Sequence, residues 1–386
     1  MRRIHLLLLF LFIIIAYFAV WFLTPVKEIA FLVVDKTVPM TDYREHRAIF
    51  WLAKHGRIAG GEDGSFLDAQ IDYLGYHPET DRRDTLTADD LENIRLLYLA
   101  DTYGIYDYEE SLEVYEHKLP YEEQFITLQY GGFSVAETDV ISDFAEREGT
   151  VMVGEHNIFG YPTYLEPEAA QSLQDIFGVK YDGWLLRYFD DLDEVAFWIK
   201  QLYMRLYGKE WDFEGRGIVV LREDVPKFNW REDLMVFEKD DLAGYWPGIF
   251  TEDHRLTAGT APEVPYLYWM EIINPEPETE VLAYYEVPLK EDGIAALKRR
   301  GLEPHIPAMT LYEPLGGNMR IYFAGDFADQ LPAIMPAWLT GSAGIQRFFT
   351  YLPGMTTEYR FYFRWYAPIF YNIFKEVSQF DERERK

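Results

Sequence analysis

Apolar and polar positions along this chain fall into three regimes. From Ile4 to Thr24 apolar residues run on, and His5 is the single ionisable side chain among them. At a rise of about 1.5 Å per residue, a helix of that length crosses a hydrocarbon core of about 30 Å. Tyr17 and Trp21 suit an interfacial zone, and Pro25 marks the exit. A cleaved secretory signal has a shorter apolar region, then small residues at alternate positions before the cut. Trp21-Phe22-Leu23-Thr24-Pro25 offers no such site. The pattern predicts an uncleaved transmembrane signal anchor over 1–25, with membrane contact through residues 4–24. Arg2 and Arg3 precede the span, and Lys27 and Lys36 follow it. A short basic head stays in the cytoplasm, which makes this a single-pass cell-membrane protein with its bulk extracytoplasmic.

The second regime, residues 26–211, alternates short apolar runs with amphipathic ones. IAFLVV (29–34) is a continuous run ending at Asp35, the pattern of a strand buried on both faces. A helix is expected over 43–55 and a Gly-rich loop over 58–65. Strands are expected at QIDYLGY (70–76) and RLLYLAD (95–101). Thr87 with Asp90 forms a capping-box-like start, and Ser134 with Glu137 a stronger one. The helix that Ser134 opens carries Ala136, Val140, Ile141, Phe144 and Ala145 at helical spacing and is closed by Gly149. Val151-Met152-Val153 is the next strand, within TVMVGEHNIFGYPT (150–163). A helix follows with Pro167 in its first turn and Gly178 past its end. Another, over 191–207, puts Leu192, Val195, Ile199, Leu202 and Leu206 on one stripe. The acidic run Asp190-Asp191-Leu192-Asp193-Glu194 resembles a metal site, but carboxylates at a helix start cap free backbone N–H groups and oppose the dipole.

In the third regime, 212–356, strands dominate: GIVVL (217–221), LMVFE (234–238), TEVLAYYEV (279–287), PAMTLYE (307–313) and MRIYFAGDF (319–327). One helix is expected near 291–300. This half extends the first sheet or forms a second α+β layer. Residues 357–386 are an aromatic helix and a charged tail. Arg360, Arg364 and Pro368 bar the stretch 357–377 from spanning a bilayer. It is either a buried terminal helix or one that lies at an interface or docks on a membrane-protein partner.

Composition narrows the function classes. Net charge is −29, which repels phosphate backbones and makes nucleic acid an improbable partner. Cysteine is absent, which excludes disulfides, thiolate metal sites and cysteine nucleophiles. Aromatics reach 17%. They serve a core, or stacking platforms for a carbohydrate ligand.

Strand–helix alternation implies a parallel sheet with helices on both faces, and such folds bind ligands outside the carboxyl ends of the strands. Asp35, Asp101, the trio Glu155, His156 and Asn157, and Asp326 all fall at such ends. These six are the candidate ligand-binding residues. Paired carboxylates there can serve as acid and base, or hold an ion together with His156. Turn-forming preference explains the same residues without any site. YGGFS (130–134) is read as a capped helix start rather than a nucleophile turn. There is no P-loop, G-x-S-x-G elbow or H-x-x-x-H pair, and neither cofactor nor metal is expected.

The run SVAETDVISDFAEREGTVMVGEHN, a helix, a Gly turn and a strand ending in polar residues, resembles the class I glutamine amidotransferase-like superfamily. The closest likeness is to ThuA-like proteins and the trimerisation domain of family 42 β-galactosidases. It covers roughly residues 29–180 and the strand ending in AGDF. The classical enzymes of that superfamily use a cysteine, which this chain lacks, so their glutamine hydrolysis is excluded. The resemblance implies an α/β fold: a flavodoxin-like layered parallel sheet with flanking helices, here extended by the β-rich C-terminal half and carrying one N-terminal transmembrane helix. It also implies a binding or assembly role in place of the ancestral catalysis. Together these readings give a membrane-anchored binding domain of the cell envelope, linked to polysaccharide processes. The alternatives are a glycan-directed hydrolase using strand-end carboxylates, and a docking partner of another membrane protein.

Overall fold

The computed structural model describes residues 2–61, 64–106, 128–159, 165–222, 229, 231–314, 318–330 and 335–384, with part of the side chains of the first and last helices left out. Glu62-Asp63 of the Gly-rich loop, the end of the 150–163 stretch and the last residues of the tail lie outside these. Four short strands open the sheet: β1 (Phe31–Asp35), β2 (Leu74–His77), β3 (Leu96–Leu99) and β4 (Val151–Gly154). Apart from half-buried Leu32 their residues are buried, as continuous apolar runs demand. Then come β5 (Val179–Phe189), β6 (Gly217–Arg222), β7 (Asp233–Glu238), β8 (Gly248–Thr251), β9 (Glu263–Pro265), β10 (Met270–Pro275), β11 (Glu280–Glu286), β12 (His305–Tyr312) and β13 (Met319–Phe323).

The protein is mixed α/β. Its main sheet has ten strands in the order β9-β8-β11-β12-β13-β4-β3-β1-β2, closed by the edge strand Arg82–Arg83. The five strands β13, β4, β3, β1 and β2 pair in parallel. The sheet is therefore not wholly parallel: β12, β11, β8 and β9 extend it antiparallel. A second, antiparallel sheet has the order β7-β6-β5-β10. The C-terminal half thus does both things left open by its pattern. Strands on either side of residue 211 hydrogen-bond to one another, as β5 with β6.

Helices cover both faces of the parallel part. On one lie α2 (Arg44–His55) and the C-terminal segment; Phe31 packs on Phe50 and Phe374, with ring centroids 6.0 and 6.2 Å apart. On the other lie α3 (Val135–Glu146) and α4 (Pro167–Phe177), where Phe177 meets Tyr322 at 5.6 Å. The Ser134–Glu137 capping box forms as its spacing predicts, and Gly178 closes α4 with φ 64°. The expected helix over 191–207 is shorter. Val195 is extended, so a single 3₁₀ turn, Leu192–Glu194, precedes α5 (Phe197–Tyr207). The acidic run caps that turn: Asp191 accepts from the Asp193 and Gly215 amides at 3.1 and 2.8 Å. α6 is Glu291–Lys298 and α7 is Ser342–Phe349.

The C-terminal segment runs as α8 (Thr357–Phe361), a π-helical turn (Tyr362–Tyr366) and α9 (Ala367–Glu384). Phe361, Trp365, Tyr366, Phe370 and Phe374 are all buried, so its aromatic face belongs to the core.

At the other end, α1 occupies Arg2–Leu23. Its last turn is seated on the domain: Trp21 Nε1 donates to the His55 carbonyl at 3.3 Å, and the Arg57 guanidinium lies 4.3 Å from the Trp21 ring. Among the described residues no helix is long and apolar enough to cross a membrane, so the span expected over 4–24 is not supported there. The described apolar side chains Phe10, Phe12, Ile15 and Leu23 are exposed.

Candidate functional site at the carboxyl ends of the parallel strands

β1 has β2 on one side and β3 on the other, so the strand order reverses at β1. Such a reversal opens a crevice at the carboxyl ends of the strands. Asp35 is the last residue of β1, and Asp101 lies two residues beyond β3. Thr37 ties the two. Its amide donates to Asp35 Oδ1 at 2.9 Å and its hydroxyl to Asp101 Oδ1 at 2.7 Å. Asp101 also accepts from the Tyr103 amide at 2.6 Å and from Asn157 Nδ2 at 3.0 Å. Asn157 sits in a left-handed conformation, φ 69°, which Asn tolerates well. From there its amide donates to Glu271 Oε1 at 3.1 Å, and the Tyr322 hydroxyl donates to Glu271 Oε2. One hydrogen-bonded chain thus runs from Asp35 to Glu271 across both sheets.

Glu155, just past β4, is buried and accepts from three donors: the Tyr98 hydroxyl, the Phe327 amide and the Ala328 amide, the last at 2.5 Å. These contacts fasten the loop after β13 to the end of β4. Asp326 lies in that loop, half-buried, with Asp329, Asp101 and Glu155 as electrostatic neighbours. Arg44 reaches Glu45 Oε1 at 3.0 Å and Asp329 Oδ2 at 3.4 Å, closing the loop from the α2 side.

So many carboxyls in one buried place cannot all ionise. Burial pushes Asp101 to about 7, Glu155 to about 8 and Glu271 to about 7, against the hydrogen bonds each accepts. Burial also raises Asp35, and holds Glu45 and Asp326 well above the ordinary range with Asp329 adding like-charge repulsion. His46 sits against Asp35, Nδ1 to Oδ2 2.5 Å, while Nε2 is 2.7 Å from the Ala69 carbonyl. A carbonyl only accepts, so Nε2 bears a hydrogen.

Five of the six candidate residues therefore meet on one rim. Asn157 acts as its bridge rather than as a free donor. His156 does not join. It is buried, both ring nitrogens lack a partner among the described residues, and burial alone pulls it down to about 3, leaving it neutral. Among the described residues no group of three or more His, Asp or Glu side chains can hold a metal ion. Sequence reasoning missed Glu45, Tyr98, Glu271, Tyr322 and Asp329. Tyr98 and Glu271 did leave a signal, each a polar group inside an apolar strand. A groove of 760 Å³ lies away from these residues, between α3 and α4, lined by Ser142, Glu168, Gln171 and Arg320.

No protein-family profile matches this chain, and no curated protein matches it. Among solved structures it is similar to a cytoplasmic protein from Salmonella typhimurium LT2. That match has 12% identity and a TM-score of 0.38, covering 90% of this chain and 99% of that one. It is also similar to a ThuA-like protein from Bacteroides uniformis ATCC 8492, again at 12% identity, with a TM-score of 0.34 and 92% of each chain covered. At those scores neither structure assigns the chain to a family or a function.

Proposed function

We propose that this protein is a non-catalytic binding or assembly domain of the cell envelope, held at the membrane by its N-terminal helix and facing outward. One observation carries the non-catalytic part. Asp35, Asp101, Glu155 and Glu271 each spend their oxygens on donors of the chain itself. Those contacts fasten strand ends and loops to one another, which supports a structural role for these carboxyls. The exposed apolar side chains of α1 support the anchor, since apolar surface of that kind is stable in lipid. The flavodoxin-like reading of the five parallel strands rests on their order about β1. The burial of the 357–377 aromatics counts against docking through that segment.

The hydrolase reading keeps one observation in its favour: Asp101, Glu155 and Glu271 change protonation near neutral pH, where an acid–base pair would work. The test is to incubate the full chain, in detergent micelles, with a panel of envelope oligosaccharides, following binding by calorimetry and products by mass spectrometry. Binding without turnover is expected. Turnover that disappears in Glu155→Gln would establish the hydrolase instead. Resistance to alkaline carbonate extraction from membranes checks the anchor; release into the soluble fraction would remove it.

A further inference from the structure

Arg187 lies on β5, where the small core beneath α5 meets the rim. Its guanidinium carbon is 5.0 Å from the Phe189 ring centroid, 5.6 Å from Tyr268 and 5.4 Å from Trp269. It makes no hydrogen bond or ion pair among the described residues, and its Nε is buried without a partner. The Asp326 carboxyl acts on it through space. Lys36 is paired with Glu137 at 2.7 Å, and Arg44, Lys200 and Arg300 also have carboxylate partners. Arg187 is instead held by aromatic faces. Phe189, Tyr268 and Trp269 are themselves half-buried, and Trp198 stacks on Trp269 at 6.3 Å.

From this geometry we infer that Arg187 and the aromatic wall around it form a binding site for an acidic sugar. The sugar carboxylate would sit on the guanidinium and its ring on Trp269. Three physical points support this assignment. A guanidinium is planar, weakly hydrated and matches a carboxylate with two parallel hydrogen bonds. The rings hold it in place, so little side-chain freedom remains to be lost on binding. One face of a pyranose is lined with C–H groups and packs on an indole as other apolar surface does. The net charge of −29 disfavours anions over the surface as a whole, whereas three rings around one unpaired guanidinium give a local site of the opposite character. The inference rests on the binding reading above and names its ligand class.

The test uses the full chain in detergent micelles at low salt. Calorimetry compares a trisaccharide of glucuronic acid with the neutral maltotriose. The acidic sugar is expected to bind at least tenfold more tightly. Arg187→Gln should abolish that preference, Arg187→Lys should restore part of it, and Trp269→Ala should weaken both sugars. Arg216→Gln, where a guanidinium stacks on Tyr245 at 4.2 Å in another part of the chain, should change nothing. Circular dichroism screens each variant for folding, and the lysine variant keeps the test open should the glutamine one misfold. Equal binding of the two sugars, or a preference that survives Arg187→Gln, overturns this inference alone. No binding of either sugar overturns it together with the carbohydrate-binding reading.

Discussion

Replacing Glu155 by Gln isolates one proton of the rim. In the folded chain burial pushes this carboxyl from an ordinary 4.5 to about 8. A raised acid holds its proton in the folded state at pH values where the unfolded chain has lost it. Its stabilising contribution is fully present below about 4.5 and is lost as pH rises toward about 8. While the two states differ by one proton, the slope is about 1.4 kcal/mol per pH unit. Across pH 5 to 8 this one group therefore removes about 3–4 kcal/mol, a large part of a typical domain's stability. Glutamine fits the same place: its oxygen can accept from the Phe327 and Ala328 amides while its nitrogen donates to the Tyr98 oxygen. The variant should match the wild type within about 1 kcal/mol at pH 5 and exceed it progressively toward pH 8. Asp101 and Glu271 tilt both proteins the same way, so the difference between the two curves reports Glu155 alone. Urea unfolding at unit steps of pH, followed by tryptophan fluorescence, measures it. Parallel curves would refute the reasoning, because they would mean Glu155 titrates alike in folded and unfolded chains.

Lys36→Met leaves Glu137 buried without its 2.7 Å partner and should cost about 3–5 kcal/mol in urea unfolding at pH 7. Because the lysine holds Glu137 below its usual range, that loss should shrink as pH falls through the range in which Glu137 protonates. Gly75→Ala should fail to accumulate as soluble protein. At φ 157° its new methyl would lie 1.6 Å from the Asp35 carbonyl oxygen, where β2 meets β1, and soluble yield on expression reads it out. His156→Leu removes two unpartnered buried nitrogens and should raise the thermal midpoint at pH 7, by the equivalent of about 1–3 kcal/mol; a fall would show that His156 has a partner.

Local pattern carried the parallel half. Each short apolar run between capped helices became a strand, and Asp35, Asp101, Glu155 and Asp326 came to one rim because parallel strands all end on the same side. The antiparallel half was less legible. Nothing local tells β10 to pair with β5 rather than join the main sheet, so Glu271, which β10 delivers to Asn157, was invisible. Glu45 was equally hidden, because a carboxylate in the first turn of α2 reads as helix solvation until the Asp326–Gln330 loop packs over it. His156 shows the opposite limit. Adjacent residues just past a strand point to opposite sides, so Glu155 enters the network while its neighbour turns away from it.

The C-terminal helix also governs when this protein can exist as a folded object. Trp51 packs on Tyr362 and Phe363, the Tyr362 hydroxyl bonds the Ala48 carbonyl across 314 residues of chain, and Tyr98 meets the Tyr366 hydroxyl at 3.2 Å. During synthesis the earliest strands emerge long before these partners do. Until the last turns leave the ribosome, β1, β3 and β13 have one face bare, and the nascent chain must wait with its aromatic pocket open. Closure over such a sequence distance is slow. A chain stalled or cut short near residue 355 would thus be an unfinished shell rather than a smaller protein, and fusion partners belong on the far side of a linker long enough to let α9 dock first.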